Sequence, residues 1–562
     1  MSILLFSNSF LTAIFSLLLV VQNLSIASVI ACILGLGFTF ALAFFSLELS
    51  RNKSERGFKL TRFLLSYTII VMMLVFIISR ISTSTPLYAL DLILGLIWFV
   101  LVFLVFVTMR FVSEKRAEKY FPGLVIEKAK RKFSTEILSW VDALCWAITH
   151  MILLNLFLFQ LYEIPSESMV PTFMVGDRVV SLKLTSGPKF PMSSFRMPKL
   201  RKHKRGDVVV VKSHRYPDTK ANELQSITSQ AISMITLMKV NTNIDPVTGK
   251  QKIDPLVKRI VGLPGEKLML VDGVLYAKRQ SDGDFHIVTE DVNYAQWNLN
   301  ELPQAQRNLV RFFPLTDNLY NTMLEIEEER KNIDFRKEYD EIEKILHSTT
   351  LQKENIDTNL NIDNFLNAED YNIQKLFLNN DEISRRIFTT NGGLIWLNNF
   401  SLSWAEFWVS EKSTTANLYE TRNAQLNVLI KKVFAKLVLR NLELFASNTT
   451  DEQFQNDTVR IQLLTEADKY LLYLNLSEQR NMNEFPQNGY LDADEYFLMG
   501  DNRFNSMDMR HGDSKKEVAV DKYDSEPILY LSKVFPVALP DANILGTADF
   551  IFWPPKRLGF IK

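Results

Sequence analysis

The first charged residue of this 562-residue chain is Glu48, so the sequence opens with a long uncharged, mostly apolar segment. A transmembrane α-helix needs about 20 apolar residues. The polar pair Gln22-Asn23 divides the segment into two candidate spans, residues 3–21 and 26–47. A cleavable secretory signal is the alternative, but the start is not basic and no small-residue cleavage site follows. We therefore interpret both runs as membrane helices.

Three more apolar runs follow, at residues 63–79, 92–109 and 143–162. The last has Asp142 at its edge and contains His150, and such polar groups are costly within a bilayer. We predict four spans within residues 1–136 and a fifth within 137–163. The fifth has the weakest apolar signal because of these polar groups. Cys32 and Cys145 lie inside these runs and say little about a redox compartment.

The charges of the chain are unevenly distributed although 63 basic and 63 acidic residues cancel. Residues 1–162 hold 14 Lys and Arg against 8 Asp and Glu, and the basic ones cluster at 51–62 and 110–132. Short basic loops stay in the cytoplasm. This pattern predicts a cytoplasmic N-terminus and, with five spans, an outer location for everything after Tyr162; four spans would reverse the orientation. No basic domain stands out, which argues against a nucleic-acid partner.

The rest of the chain has the pattern of a β-rich soluble domain with an insertion. Valine-rich runs at 177–184, 207–212 and 257–263 predict strands, and Asp272-Gly273 between residues 268–271 and 274–277 predicts a hairpin. Helical spacing from about 318 to 483 predicts a mostly helical insertion, placed at 286–489. Strand character returns at 495–499 and 548–553, so we divide the β domain into 164–285 and 490–562. The apolar stretch 226–240 is either a membrane-touching amphipathic segment or a core helix.

Catalytic chemistry is suggested by two serines, Ser166 and Ser168, in a proline-bounded segment after the fifth span. A serine hydroxyl needs a base to become a nucleophile. His511 is one candidate, with a surface histidine beside a turn as the alternative. Lys258, on a predicted apolar strand, is the other, because burial would lower the pKa of its amine. On spacing alone, a solvated strand lysine remains the alternative there.

Four sequence blocks in order resemble the bacterial type I signal peptidases. They are SESMVPT at 166–172, RGDVVV at 205–210, KRIVGLPGE at 258–266 and GDNRFNSMDMR at 500–510. The resemblance covers roughly residues 163–277 and 490–562. It implies a membrane-bound serine endopeptidase that cleaves N-terminal signal peptides from exported preproteins after small residues, using a Ser/Lys dyad.

The resemblance also implies the architecture and surroundings of the protein. The expected fold is a multispan α-helical membrane region followed by a mainly-β, signal-peptidase-like catalytic domain of coiled antiparallel sheets, interrupted by the helical insertion. The expected partners are signal peptides of preproteins, the lipid bilayer and the secretion translocon, without cofactor or metal. The expected location is the bacterial cytoplasmic (inner) membrane, with the catalytic domain on the periplasmic or extracellular side.

The family roles transfer to individual positions of this chain. Ser168 matches the nucleophile and Lys258 the general base, while Ser166 matches an oxyanion donor and Ser506 a serine that orients the lysine. The remaining matches are structural support at Asp501, Arg503, Asp508 and Arg510, and substrate-pocket lining at Ile164, Pro165, Met169 and Val257.

Three positions depart from the family pattern. Phe504 replaces the usual aspartate, Met509 replaces a serine, and His511-Gly512-Asp513 replaces a frequent Trp-Gly. These changes put the local polar network in doubt but leave the dyad in place. Phe504 and the large insertion motivate an alternative, a catalytically inactive multispan membrane assembly or receptor protein with a protease-like outer domain. A self-cleaving regulator with the same chemistry fits poorly, because such proteins are soluble.

Overall fold

The computed structural model describes residues 1–21, 24–82, 87–124, 133–216, 219–236, 239–245, 248–250, 252, 255–295, 302–307, 317–354 and 390–561. Its N-terminal part is helical. The helices there are α1 (Ser2–Leu18), α2 (Ile26–Asn52), α3 (Glu55–Ile81), α4 (Tyr88–Phe111), α5 (Glu114–Tyr120) and α6 (Phe133–Phe157). Within the described residues, α2, α3, α4 and the segment Glu136–Phe157 are long and apolar enough to cross a membrane, and α1 is shorter.

Successive long helices of the bundle run in opposite directions. Asn8 Nδ2 donates to Thr108 Oγ1 over 2.8 Å, which joins the beginning of α1 to the end of α4. At the other end of the bundle, Phe15 near the end of α1 contacts Phe76 of α3, with ring centroids 6.4 Å apart. The segments linking α2 to α3 and following α4, which hold the clustered basic residues, therefore lie at one end. The beginning of the β domain, after α6, lies at the other.

The fifth predicted span differs from α6 at its C-terminal end. Helix α6 ends at Phe157, and Phe159–Glu163 forms strand β1, which pairs antiparallel with the next strand. The prediction that helix continued to Tyr162 is therefore wrong. An apolar run has no periodicity that separates helix from buried strand, and no glycine or proline marks the change. Asp142, the polar residue that weakened this span, accepts a 2.6 Å hydrogen bond from the Tyr67 hydroxyl of α3.

The β domain contains an eight-stranded antiparallel sheet and a four-stranded one within the described residues. The strands are β1 (Phe159–Glu163), β2 (Arg178–Leu182), β3 (Val208–Val211), β4 (Leu256–Gly262), β5 (Glu266–Val271), β6 (Val274–Arg279), β7 (His286–Ile287), β8 (Met482–Phe485), β9 (Glu495–Met499), β10 (His511–Ala519), β11 (Leu529–Val534), β12 (Leu539–Pro540), β13 (Ile544–Trp553) and β14 (Gly559–Phe560). The larger sheet has the order β1-β2-β13-β3-β4-β9-β12, with β14 on β13, and the smaller sheet has the order β7-β6-β5-β8. Strands β10 and β11 form a separate two-stranded sheet. The predicted strands and hairpin are confirmed, and Asp272 and Gly273 have the positive φ angles of a tight turn, 51° and 81°.

The described part of residues 286–489 is mostly helical and packs around one long buried helix. The two ends of this range differ from the prediction, because β7 and β8 pair with β6 and β5 and so belong to the smaller sheet. The helices of the insertion are α8 (Thr289–Ala295), α9 (Gln304–Arg307), α10 (Asp317–Lys331), α11 (Phe335–Glu354), α12 (Thr390–Phe407), α13 (Leu418–Ala446), α14 (Asp451–Gln455) and α15 (Thr458–Ser477). Helix α13 starts at a capping box formed by Asn417 and Glu420. Val520 and Ile528, from the turn of the β10–β11 hairpin, belong to the same core. The hairpin thus extends from the β domain into the insertion.

The remaining helix, α7 (Lys220–Ile235), covers part of the 226–240 stretch. Its Leu224 and Ile227 pack against the core at one end of the membrane bundle, whereas Ile232 and Ile235 are exposed. Helix α7 therefore has one face on the bundle and another facing outward. Membrane helices, coiled antiparallel sheets and helical insertion together confirm the predicted fold class.

Candidate active site

The two predicted dyad residues lie in contact. Ser168 stands in a turn between β1 and β2, and Lys258 lies on β4 in the middle of the larger sheet. The Nζ of Lys258 is 2.8 Å from the Oγ of Ser168. Lys258 is 3% exposed, so its amine reaches the half-buried serine from within the domain. The interpretation of Lys258 as a solvated strand lysine is therefore wrong.

Burial changes the acid–base chemistry of this lysine. Loss of water around the amine lowers the pKa of Lys258 to about 8, although the carboxylates of Asp508 and Asp501 partly oppose the shift. Arg510 adds to the lowering through its own positive charge. Near neutral pH most of Lys258 is still protonated, but the neutral fraction, which can accept a proton, is far larger than for an ordinary lysine.

The loop that follows β9 supports the serine turn from behind. The backbone N–H of Asn502 donates to the Ser168 carbonyl over 3.1 Å, and the Asn502 amide donates to the Glu167 carbonyl over 3.2 Å. Gly500 fits tightly between these segments. A Cβ there would lie 2.3 Å from the Ser168 carbonyl oxygen and 2.2 Å from the Ser506 Oγ. Residues 500–502 therefore hold the turn by contacts that leave no room for a side chain at position 500.

The other two predicted serines lie beside the dyad with different contacts. The exposed Ser166 hydroxyl is 3.3 Å from the Ser168 Oγ. Ser506 is buried on the supporting loop, yet within the described part of the chain its hydroxyl has no hydrogen-bond partner. The expected hydrogen bond from Ser506 to Lys258 is therefore not formed in this structure, although the loop brings Ser506 next to Gly500.

Asp508 and Arg510 form the expected ion pair. The guanidinium donates to both carboxylate oxygens of Asp508 over 2.8 Å, and both side chains are fully buried. Burial opposes ionisation of Asp508, but the charge and hydrogen bonds of Arg510, together with His511 and the Gly500 N–H, outweigh it and hold the pKa of that carboxyl well below its usual range. Asp508 Oδ2 also accepts from the Gly500 N–H over 2.8 Å. The pair thus ties the two ends of the supporting loop together.

Asp501 and Arg503 take separate partners. Asp501 binds Arg259, the residue after Lys258, with two hydrogen bonds of 2.8 and 2.7 Å, and Arg503 pairs with Asp291 of α8 over 2.5 Å. Arg259 is itself stacked on the Tyr294 ring at 3.9 Å. Arg259 was missed as a site residue, although its place beside Lys258 in the third sequence block was a signal. It fixes the β4 backbone next to Lys258.

His511 is buried, 5% exposed, so its interpretation as a surface histidine is wrong. Its Nδ1 lies 3.7 Å from the Asp508 carboxylate. Burial, reinforced by the neighbouring Arg510 charge, lowers the pKa of His511 to about 4. The contact with Asp508 places it in the supporting network.

Three of the four predicted pocket residues share one apolar cluster. Ile164 and Met169 are buried in it, and Val257 packs against its edge. Pro165 is exposed and lies outside this cluster. Within the described residues, no group of three or more His, Cys, Asp or Glu could hold a metal ion.

Comparisons with known proteins give one consistent result. Residues 137–314 match the signal peptidase, peptidase S26 family. A signal peptidase I of Buchnera aphidicola subsp. Baizongia pistaciae is 26% identical over 218 residues, which cover 36% of this chain and 54% of that protein. The signal peptidase I of Haemophilus influenzae is 27% identical over 175 residues, 30% of this chain and 48% of that protein. A further one, from Buchnera aphidicola subsp. Schizaphis graminum, is 29% identical over 112 residues, 20% of this chain and 24% of that protein.

The matched part of the chain is similar to the type I signal peptidases. It spans about half or less of the length of these curated relatives. The matched family segment contains Ser168 and Lys258 and ends inside the insertion.

Two departures from the signal peptidase pattern have a physical explanation in the packing. Phe504 contacts the insertion: its ring lies 6.3 Å from that of Tyr320, and the Arg480 guanidinium stacks over it at 5.3 Å. Met509 is fully buried in the β core beside β9. An apolar residue at each position thus serves contacts made by this chain, and neither lies between Ser168 and Lys258.

Proposed function

We propose that this protein is a membrane-bound serine endopeptidase that cleaves signal peptides from exported preproteins with a Ser168–Lys258 dyad. The single observation that carries the proposal is the 2.8 Å contact between a half-buried serine hydroxyl and a fully buried lysine amine. The relationship to signal peptidases supports the substrate class.

The geometry supports a two-stage acyl transfer. Neutral Lys258 accepts the Ser168 proton while the Oγ attacks the carbonyl carbon of the scissile peptide bond. In this mechanism the Ser166 hydroxyl and the Ser168 backbone N–H donate to the resulting oxyanion. Protonated Lys258 then gives its proton to the leaving amine, and an acyl-enzyme on Ser168 remains. Water, deprotonated by Lys258, attacks this ester and restores the serine.

The location of the dyad suits a substrate held in the bilayer. Strand β1 begins two residues after α6 ends at Phe157, and Ser168 follows that strand closely. A preprotein whose apolar signal helix lies in the membrane presents its cleavage site at the same level. The apolar cluster of Ile164, Met169 and Val257 fits small uncharged side chains before the scissile bond.

The charge pattern supports an outer location for the dyad. The β domain contacts the end of the bundle where α3 ends and α4 begins. There, Arg80 and Asp91 form a buried ion pair and the Ser194 N–H donates to Asp91 over 3.3 Å. The basic linking segments lie at the opposite end, and such segments stay in the cytoplasm.

The proposal is tested by cleavage of a purified preprotein with the full-length protein in detergent micelles. We expect Ser168→Ala and Lys258→Ala each to lower the cleavage rate by roughly 10⁴-fold or more, because dyad members act as a unit. Ser281→Ala, on an exposed turn, serves as the control. Unchanged processing in either dyad variant would reject the mechanism, and no cleavage by the wild-type protein would favour the inactive assembly protein.

A further inference from the structure

A cavity of about 150 Å³ lies where the β domain meets the membrane bundle. Leu156 at the end of α6 and Ile227 of α7 form its membrane-side wall. Ile227 packs against the same core as the bundle residues Trp98 and Phe157. The cavity is therefore at the level where the bilayer surface meets the outer domain.

The described lining of this cavity is strongly basic. It carries five cationic side chains and one carboxylate, namely Lys183, Lys189, Arg196, Lys212 and Lys252 against Glu223. The carboxylate is already engaged, since it accepts from Lys189 Nζ over 2.8 Å and from the Met192 N–H over 2.9 Å. The surrounding outer half of the chain carries net negative charge, so the basic cavity is a local feature of that domain.

Neutral groups hold one of these cations in place. The Lys252 amine donates to the side-chain oxygens of Asn222 and Gln225 over 2.9 and 2.7 Å. Both acceptors lie on α7, and neither cancels the positive charge. The cavity therefore keeps a fixed cation at its wall.

Lys183 is the cation without a partner. Within the described residues its amine makes no hydrogen bond or ion pair, and it points into the cavity from the segment after β2. Loss of water lowers the pKa of Lys183 to about 8. A bound anion would restore the favourable environment that the ammonium has lost.

We propose that this cavity binds the phosphate of an anionic phospholipid headgroup from the adjacent leaflet. The basic lining matches a phosphate anion, the apolar wall of α6 and α7 matches the start of an acyl chain, and the position matches a bilayer surface. Tyr162 and Leu545 line the cavity and also pack against the cluster of Ile164, Met169 and Val257. The lipid would thus sit behind one wall of the candidate substrate pocket. This proposal does not depend on peptidase activity.

The test is lipid retention by the full-length protein, measured by native mass spectrometry after exposure to phosphatidylglycerol, phosphatidylcholine or inorganic phosphate. We expect wild type to retain phosphatidylglycerol preferentially. Lys183→Gln and Lys212→Gln should each weaken that retention about fivefold, the effect of removing one cation near an anionic surface. Lys515→Gln, an exposed lysine on β10, is the matched control and should retain lipid like wild type.

Three results would overturn the proposal. Equal retention by the control and by both cavity variants would show that the cavity does not hold the lipid. Binding of inorganic phosphate as tight as that of phosphatidylglycerol would identify a free-phosphate site. An altered KM for acidic peptide substrates with unchanged lipid retention would assign the cavity to substrate. Melting temperatures equal to that of wild type establish that the variants are folded.

Discussion

At the scale of single residues, the candidate site depends on how little space and water surround Lys258. Burial in the sheet lowers the pKa of its amine, and the 500–502 segment holds the turn in which Ser168 contacts it. The buried Asp508–Arg510 pair closes the same loop. A small change of side-chain volume around Ser168 and Lys258 should therefore have a large effect on kcat.

Gly500→Ala tests this tight packing. The added methyl group would meet the Ser168 carbonyl and the Ser506 hydroxyl at distances that real Cβ atoms do not show, so one segment must move. We expect the strain to cost about 1–3 kcal/mol and to lower kcat at least tenfold by displacing Ser168. Steady-state cleavage kinetics provide the measurement. Gly283→Ala, whose Cβ would meet nothing within 4 Å, is the control; an equal kcat for both variants would contradict the account.

The dyad could be predicted from sequence, but its supporting contacts could not. Ser168 and Lys258 stand in short blocks whose residues carry the signal locally. The Arg259–Asp501 pair joins positions far apart in sequence, and no local pattern reveals which buried charges meet. His511 was misjudged for the same reason, since its burial depends on distant elements.

At the scale of elements, the helical insertion helps to hold the supporting loop, residues 500–510, in place. Phe504 packs on Tyr320 and Arg480, and Arg510 donates to the Gln479 carbonyl beside Arg480. The hairpin turn at Asp272 is also enclosed, since it pairs with Arg330 of α10. The insertion therefore contacts the β domain at the supporting loop and at the hairpin turn of Asp272.

Phe504→Ala should weaken the contact between the supporting loop and the insertion. The change removes an apolar contact and a cation–π contact, together about 1–2 kcal/mol. We expect faster hydrogen–deuterium exchange across residues 500–510, together with a lower kcat. Met507→Ala on the same loop is the control, because that side chain is 42% exposed. Exchange that is the same in the two variants would show that the insertion does not hold the loop.

Elements with a strong local signal were predicted well, and one without such a signal was not. The Asp272-Gly273 hairpin has a turn dipeptide that marks its position. Strand β1 continues an apolar run from α6, and only its pairing with β2 separates the two. Tertiary contacts, which the sequence does not display, decide that boundary.

At the scale of the whole molecule, the helical bundle packs closely against the segment between β2 and β3 of the β domain. Phe190, from the segment between β2 and β3, is fully buried among bundle residues, with ring centroids 4.9 Å from Phe76 and 5.6 Å from Trp98. Arg80, in the last turn of α3, is buried against Asp91. These contacts tie the orientation of the dyad to that of the helices.

The orientation can be measured with single cysteines. In a background with Cys32→Ala and Cys145→Ala, we expect Lys515→Cys to react with a membrane-impermeant maleimide in intact spheroplasts. Asn52→Cys, in the exposed basic segment, should react only after the membrane is permeabilised, because basic segments stay inside. Labelling of both cysteines from the same side would indicate an even number of crossings between them, and the reverse pattern would indicate the opposite orientation of the bundle; either result would contradict the predicted topology.

The most direct test of the central claim is the dependence of kcat/KM on pH for the purified full-length protein and a preprotein substrate. Only neutral Lys258 can accept the Ser168 proton, and burial lowers its pKa to about 8. We therefore predict that kcat/KM falls tenfold per pH unit below about pH 8 and is constant above it. A profile with no inflection near pH 8, but with one near the lowered pKa of His511 at about 4, would contradict Lys258 as the base.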